Sequence, residues 1–188
     1  SLLHAGVPVA TFNGTYTPRG EQGLLDIDAS LDRLPFALAN GFFPDGIATL
    51  SGVALGDIHI GGTTKRPQVN GAIVSNDLHV KSAPYSLDLR VTDDSLRLSN
   101  SRLLFDNLRI YSTGTNPLTL SGDVDFADTD KIRVNTTLKA SNFELINAKK
   151  NSQAVAYGKV YVDLNAMLRG TLDDLRMYGR LQVLGNTD

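Results

Sequence analysis

Apolar and polar residues alternate with a period of two along most of this chain. Strict alternation places side chains on opposite faces of an extended backbone, so these segments predict β-strands. The spacers between them are short and rich in turn-forming residues. Because parallel strands need long crossover connections, the short spacers predict antiparallel pairing. The alternating segments are 24–31, 58–60, 69–73, 87–91, 96–98, 108–110, 118–126, 132–140, 158–170 and 175–183.

The segment 158–170 is the longest of these and shows the two-faced pattern most clearly. Its 13 residues would extend about 44 Å at roughly 3.4 Å per residue, well beyond a typical strand. One face is apolar and the other carries Lys159, Asp163, Asn165 and Arg169. The apolar face is either the core of a closed sandwich or barrel, or an open binding surface.

Small residues favour the open surface. Gly52, Gly56 and Gly62 share parity with Leu50 and Ile58, so they lie on the apolar side of their strand. Glycine inside a strand marks a bend or a close approach of another backbone. We therefore expect an all-β fold, a long and strongly curved antiparallel sheet with an apolar groove on its inner side. The residues predicted to line this groove are Leu50, Ile58, Ile60, Val69, Ile73, Leu120, Val124, Phe126, Val134, Leu138, Val160, Val162, Leu164, Ala166, Leu168, Met177 and Leu181.

One segment, 32–44, is apolar without alternation. Pro35 suits the first turn of a helix and Gly41 suits its end, with Pro44 following. This pattern predicts one short helix near residues 34–42 that caps the apolar groove. The predicted cap residues are Leu34, Phe36, Leu38 and Phe42.

A weak internal repeat links residues 60–73 with residues 168–181. Both segments have an apolar residue followed two positions later by Gly-Thr, and then a second glycine with an apolar residue two positions before it and two positions after it. Residues 118–122 resemble a degenerate third copy.

The composition excludes several classes of function and gives few positive indications of one. The formal net charge of −2 is spread along the 188 residues, so the chain does not resemble a nucleic-acid binder. There is no cysteine, which excludes disulfides and a thiol nucleophile and is typical of an oxidising compartment. No apolar run reaches the roughly 18 residues that a transmembrane helix needs. Ser1 stands where an initiator Met would, so we expect the chain to be a piece of a longer protein.

Catalytic and metal-binding constellations are missing from the sequence. His59 and His79 each stand between two apolar residues, so we expect both to face away from the apolar side. The acidic run 123–130 lacks the glycine and closing glutamate of a calcium loop, and outward carboxylates leading into a turn explain it. We therefore predict a protein that is not an enzyme and has no cofactor or metal.

Several segments resemble the repeating part of TamB-like proteins, within the AsmA-like group. They read LPFAL at 34–38, FFPDG at 42–46, LSGVALGDIHIGGT at 50–63 and PQVNGAI at 67–73. AYGKVYVDL at 156–164 and LRGTLDDLRMYGRL at 168–181 are similar to the same family. The resemblance covers most of the chain and thins between about residues 90 and 115.

The resemblance implies a fold and a function. Proteins of this family are anchored in the inner membrane of Gram-negative bacteria and cross the periplasm as a long sheet folded on itself, a β-taco or half-pipe. They are linked to phospholipid transport towards the outer membrane and to outer-membrane protein assembly with a TamA- or BamA-like barrel partner. It follows that residues 1–188 would form one elongated periplasmic segment that binds phospholipid acyl chains and adjoins neighbouring repeats of the same chain.

Two other functions fit the pattern of the residues. A chaperone-like module would bind unfolded outer-membrane strands at an open sheet edge. A plain β-sandwich adhesin or carbohydrate-binding domain would bury its apolar faces against each other.

Overall fold

The computed structural model describes residues 1–20, 22–42, 48–83, 87–128, 130–148, 158–171 and 173–185. Twelve strands form one antiparallel sheet, which confirms the predicted all-β class. The strands are β1 (Leu2–His4), β2 (Val7–Arg19), β3 (Gln22–Pro35), β4 (Thr49–Gly62), β5 (Pro67–Ser82), β6 (Leu87–Val91), β7 (Ser95–Ser99), β8 (Arg102–Tyr111), β9 (Leu118–Asp125), β10 (Arg133–Ala148), β11 (Gly158–Thr171) and β12 (Asp174–Val183).

Strand order follows chain order, because each strand pairs with the one that comes next. The exception is β6 and β7, which share one place in the order: both pair with β5 on one side and with β8 on the other. The turn-rich spacers at 92–94 and 113–117 fall between strands, as expected for short antiparallel connections. The two clear repeat copies, 60–73 and 168–181, are the β4–β5 and β11–β12 hairpins.

β-Bulges interrupt β3, β5, β8 and β10, which all run in one direction, and a further register shift lies where β1 pairs with β2. On each of these four strands one bulge contains a non-glycine residue with positive φ, and these residues are Arg33 (62°), Asp77 (54°), Asn107 (53°) and Asn142 (47°). A second register shift on β10, between Glu144 and Ile146, has no such residue. Asn and Asp tolerate this left-handed conformation better than most residues. Bulges bend a strand and increase its twist, so a series of them on alternate strands bends the whole sheet.

Side chains on neighbouring segments satisfy the backbone N–H groups of these bulges. Asp77 N–H donates to Asp93 Oδ1 at 2.9 Å, and Asn107 N–H donates to Ser121 Oγ at 3.2 Å. Asn142 N–H donates to Asp163 Oδ1 at 2.7 Å. A bulge takes one residue out of the regular ladder, and these polar side chains supply the missing acceptors.

Strands β6 and β10 come close together although β8 and β9 lie between them in the strand order. Their Cα atoms approach within 8 Å. In a flat sheet three strand spacings would separate them by roughly 14 Å. This approach is what a curved sheet produces.

A small hydrophobic core lies where β6 meets β10. Ala140, Phe143 and Val162 are buried there, and Phe143 and Val162 are only 2% exposed. Partly buried side chains surround this cluster, namely Leu89, Leu118, Leu145, Val160 and Leu164. Leu89 comes from β6 and packs against residues of β10 and β11, so side chains of strands that are not neighbours in the sheet meet in this cluster.

The β7–β8 turn is anchored by a buried hydroxyl group. Ser101 is 0% exposed, and its Oγ accepts a hydrogen bond from Val69 N–H at 2.9 Å. The same Oγ donates to the carbonyl of Pro67 at 2.6 Å. The backbone of Ser101 also donates to Val69 O and accepts from Phe126 N–H, both at 2.9 Å. One residue thus joins the turn to the start of β5 and to the end of β9.

The predicted helix near 34–42 differs from the structure in type and in start. Strand β3 continues through Leu34 and Pro35, which pair with Ala54 and Val53 of β4. Only Phe36–Phe42 is helical, and it forms a 3₁₀ helix. Seven residues are too few to offset the cost of starting an isolated α-helix, and short connectors commonly adopt the 3₁₀ form. The end of the predicted segment, residues 43–44, lies outside the described residues.

Candidate functional site

The strand registers gather the predicted groove residues on one side of the sheet, which we call the apolar face. Residues directly opposite each other in a ladder share a face, so a chain of paired residues can be followed from strand to strand. One such row runs from β2 to β12 without a break. Its members are Phe12, Ala29, Ile58, Gly71, Leu98, Leu103, Val124, Val134, Gly170 and Leu175.

Further rows run parallel to this one and contain most of the other predicted residues. Ile60 is paired with Val69, Gly56 with Ile73, and Leu50 with Val80. In the C-terminal half the rows are Leu108–Leu120–Leu138–Ala166–Gly179, Ile110–Leu118–Ala140–Leu164–Leu181 and Phe105–Gly122–Thr136–Leu168–Met177. Phe126 follows the last residue of β9 and is half-buried.

Side chains on the apolar face are mostly half-buried rather than packed. Of the predicted groove residues only Val162 and Ala166 are buried, at 2% exposure each. Met177 and Leu181, on the edge strand β12, are 61% and 52% exposed. Other members of the rows are buried as well, namely Ala29, Leu98 and Leu108. Val162, with Val160 and Leu164 beside it, belongs to the packed cluster at one end.

The total accessible surface supports the same conclusion. It is 11778 Å² for the chain of 20.3 kDa, whereas a compact monomer of this mass exposes about 8,800 Å². The excess of about a third favours an extended sheet over a compact, closed sandwich.

In-phase glycines let neighbouring strands approach closely under this face. Gly122 has φ of 120°, and a Cβ there would lie 2.2 Å from the carbonyl oxygen of Asn135 on β10. Gly71 has φ of 142°, and its Cβ would lie 2.2 Å from the carbonyl oxygen of Asp57 on β4. Both glycines are therefore required by the backbone of the sheet, and they also leave the apolar face thin.

The predicted cap residues are only partly brought to the face. Leu34 lies on β3 opposite Ala54, and Phe36 is half-buried at the start of the 3₁₀ helix. Leu38 is 51% exposed. The Phe42 side chain lies outside the described part of the structure.

Asn40 holds the 3₁₀ helix against β4, a role that the sequence did not reveal. Its side-chain carbonyl accepts a hydrogen bond from Leu50 N–H at 2.7 Å, and its amide nitrogen donates to Leu50 O at 3.2 Å. The pair fixes the helix at the end of β4 beside Leu50, one of the predicted groove residues.

Sequence reasoning also missed apolar-face residues on β2 and β8. Phe12 and Tyr16 alternate with Thr and Asn on β2, a pattern that could have been recognised as a strand. On β8 the bulge shifts the apolar positions from Leu103 to Leu108, so no single parity describes the strand.

The opposite, polar face carries ion pairs. His59 lies 2.8 Å from Asp28 and 3.7 Å from Asp26, and it points away from the apolar face as expected. A hydrogen bond from Arg176 to Asp174 raises the pKa of the guanidinium further above its ordinary value. Among the described residues no group of three or more His, Asp or Glu side chains could hold a metal ion.

The acidic run 123–130 serves the sheet and the turn that follows it. Asp123 pairs with Arg102 at 2.9 Å. Asp125 accepts a hydrogen bond from Ala127 N–H, and Asp128 accepts one from Asp130 N–H. Asp125 and Asp128 thus supply acceptors to backbone N–H groups that follow β9.

A shallow depression of about 460 Å³ also lies on the polar side. Its lining is mixed and includes Lys139, Asp163, Asn165 and Arg180. Because Asp163 already accepts the bulge N–H of Asn142, its carboxylate is part of the sheet architecture.

No family model, no curated protein and no solved structure matches this chain. In the described part of the chain, no helix is long and apolar enough to cross a membrane.

Proposed function

We propose that this chain is a periplasmic segment of a TamB-like protein and that its apolar face binds phospholipid acyl chains. The observation that supports the proposal best is the row of apolar and small residues that continues from β2 to β12 while remaining largely half-exposed. Ordinary sheet cores are covered by a second layer, and an uncovered face of this length needs an apolar partner.

Acyl chains suit such a surface on energetic grounds. Each methylene group removed from water contributes about 0.8 kcal/mol, so a tail of many methylenes binds without a specific polar contact. A face lined by aliphatic side chains and glycines presents a wide apolar surface with few hydrogen-bonding groups. It therefore suits chains that slide along it better than a ligand held in one orientation.

In this proposal the curved sheet is a half-pipe, and the apolar face is the inner surface of its groove. The bulges on alternate strands and the approach of β6 to β10 supply the curvature. The 3₁₀ helix, held to β4 by Asn40, borders the groove beside Leu50. The complete protein would span the periplasm from an inner-membrane anchor, with neighbouring repeats extending the groove and an outer-membrane barrel as partner.

A photocrosslinking experiment tests the binding face directly. A benzophenone side chain is introduced at Leu168, on the apolar face, or at its chain neighbour Arg169, on the polar face. The protein is incubated with phospholipid vesicles, irradiated and analysed by mass spectrometry. We expect a lipid adduct at position 168 and little at position 169. Equal labelling at both positions would contradict the proposal.

A second measurement separates lipid binding from the chaperone-like alternative. The purified chain, stripped of lipid, is mixed with an unfolded outer-membrane barrel protein, with or without added phospholipid. Lipid that occupies the apolar face should be recovered by native mass spectrometry without any barrel protein. Retention of the barrel protein alone would favour the chaperone function.

A further inference from the structure

Five hairpin turns lie on one side of the sheet. They join β2 to β3, β4 to β5, β7 to β8, β9 to β10 and β11 to β12, and each lies just beyond the apolar row that runs from Phe12 to Leu175. The turns recur at every second place in the strand order, about 10 Å apart. In the half-pipe proposed above, this side of the sheet is one rim of the groove.

A basic residue lies at or near each of these turns. These residues are Arg19 at the end of β2, Lys65 and Arg66 between β4 and β5, Arg102 at the start of β8, Arg133 at the start of β10, and Arg169 two residues before the end of β11. A lipid that moves along the apolar face would therefore pass a cation at every turn.

Arg133 and Arg169 have no counter-ion among the described residues. Arg176 is different, because it pairs with Asp174 at 3.0 Å. Asp125 stands opposite Arg133 in the β9–β10 register, but its carboxylate accepts a hydrogen bond from a backbone N–H beyond β9. Two exposed guanidinium groups near the turns are therefore available to an anion from outside the sheet.

The strand registers bring these arginines close together on the polar face. Arg169 stands directly opposite Arg176 in the β11–β12 ladder, and Arg133 is its diagonal neighbour on β10. Like charges in opposed positions destabilise a sheet, and a bound anion would offset that repulsion. Arg169 lines two depressions, one of about 530 Å³ together with Arg176 and one of about 520 Å³ together with Arg133.

The apolar face ends beside these arginines. Val134 and Gly170 belong to the apolar row, and they are the chain neighbours of Arg133 and Arg169. Gly170 lines both depressions and has no side chain, so only backbone separates the apolar face from the arginines at this place. Arginine side chains are long enough to extend along a surface to a group at its border. A lipid whose tails lie on the apolar face thus has its head group within reach of them.

We propose that the turns on this side bind the phosphate groups of lipids whose acyl chains lie on the apolar face, with Arg133 and Arg169 as the principal contacts. Guanidinium groups bind phosphate through two parallel hydrogen bonds, which makes arginine well suited to this role. The role rests on the proposed binding of acyl chains, and it makes anionic phospholipids, rather than neutral lipids, the preferred ligands.

Two lipids with the same acyl chains, phosphatidylglycerol and diacylglycerol, separate head-group binding from tail binding. Each is added to the chain in the same detergent at low salt, and the bound fraction is measured by native mass spectrometry. The unmodified chain should bind phosphatidylglycerol more tightly than diacylglycerol. One basic residue beside an anionic head group strengthens binding about fivefold, so the double variant Arg133→Gln/Arg169→Gln should bind phosphatidylglycerol about 25-fold less tightly. Its binding of diacylglycerol should not change.

Arg109→Gln/Lys139→Gln is the matched control, because it removes the same charge from the polar face at positions farther from the turns. This control should keep the preference for phosphatidylglycerol. Equal affinity of the unmodified chain for the two lipids, or an equal loss in the two double variants, would overturn the role of the arginines while leaving tail binding intact. Binding of neither lipid would contradict the proposed function itself, and the head-group role with it.

Discussion

Asp163 on β11 accepts a hydrogen bond from the backbone N–H of Asn142, the positive-φ residue of the β10 bulge, at 2.7 Å. The contact joins a carboxylate on the polar face to the bulge that bends β10. Asp93 and Ser121 make the equivalent contact to Asp77 and Asn107. The side chains of Asp93, Ser121 and Asp163 therefore stabilise the bulged backbone of the sheet.

We expect Asp163→Ala to lower the free energy of unfolding by about 1 kcal/mol, because it removes a charged acceptor at a partly exposed site. Chemical denaturation measures the change. Asp163→Asn keeps an acceptor oxygen and should lose less. Asp173→Ala, an exposed carboxylate in the next turn, serves as the charge control. If Asp173→Ala is as destabilising as Asp163→Ala, the effect comes from net charge and not from the bulge.

Gly122→Ala should be strongly destabilising, by on the order of 3 kcal/mol. The new Cβ would lie 2.2 Å from Asn135 O, and φ at this position is 120°. Thermal unfolding followed by circular dichroism detects the loss. Gly185→Ala is the matched control, since a Cβ there meets nothing within 4 Å. Similar melting temperatures for the two variants would show that β9 and β10 do not need the close approach.

Ser101→Ala should cost about 1–3 kcal/mol, since it leaves the N–H of Val69 and the C=O of Pro67 without their side-chain partner in a fully buried place. Ser95→Ala, at an exposed position on β7, should be near neutral. Hydrogen exchange measures the effect at a single amide. The Val69 amide should lose protection in Ser101→Ala and keep it in Ser95→Ala. Unchanged protection of that amide in Ser101→Ala would contradict the assigned role.

The apolar face should respond differently at its packed end and at its open edge. Phe143→Ala removes a side chain that is 2% exposed and should cost about 3–5 kcal/mol. Met177→Ala removes a side chain that is 61% exposed and should change stability by less than about 0.5 kcal/mol. Both are measured by urea unfolding. A comparable cost at both positions would mean that β12 is covered in solution by more than the present contacts.

Alternation alone predicted the antiparallel all-β sheet and the common side of Ile58, Val124, Val134 and Leu168. It worked because each of these residues lies in a stretch without a bulge, where parity and face coincide. It did not distinguish the buried Val162 from the half-buried Leu168, since both residues have the same parity. Only the fold shows that Leu89 of β6 packs over the cluster that contains Val162.

The short helix illustrates a different limit. Pro35 is compatible with the first turn of a helix and also with the last residue of a strand. The local sequence does not decide between these two conformations. The choice depends on Val53, a residue 18 positions later that pairs with Pro35. The bond from Asn40 to Leu50 is likewise a tertiary contact with no local signature.

Each bulge also changes which alternate positions along its strand face the apolar side. On β10 the apolar positions are even-numbered up to Ala140 and shift to Phe143 across the first bulge, and on β8 they change from Leu103 and Phe105 to Leu108 and Ile110. Because a bulge is one extra residue, deleting Asn142 alone would restore plain alternation and keep Phe143 on the apolar face opposite Val162. Deleting one residue from a strand without a bulge, such as β11, would instead turn every following side chain to the other face. Tolerance of this sheet to single-residue deletions should accordingly depend on whether they fall inside a bulge.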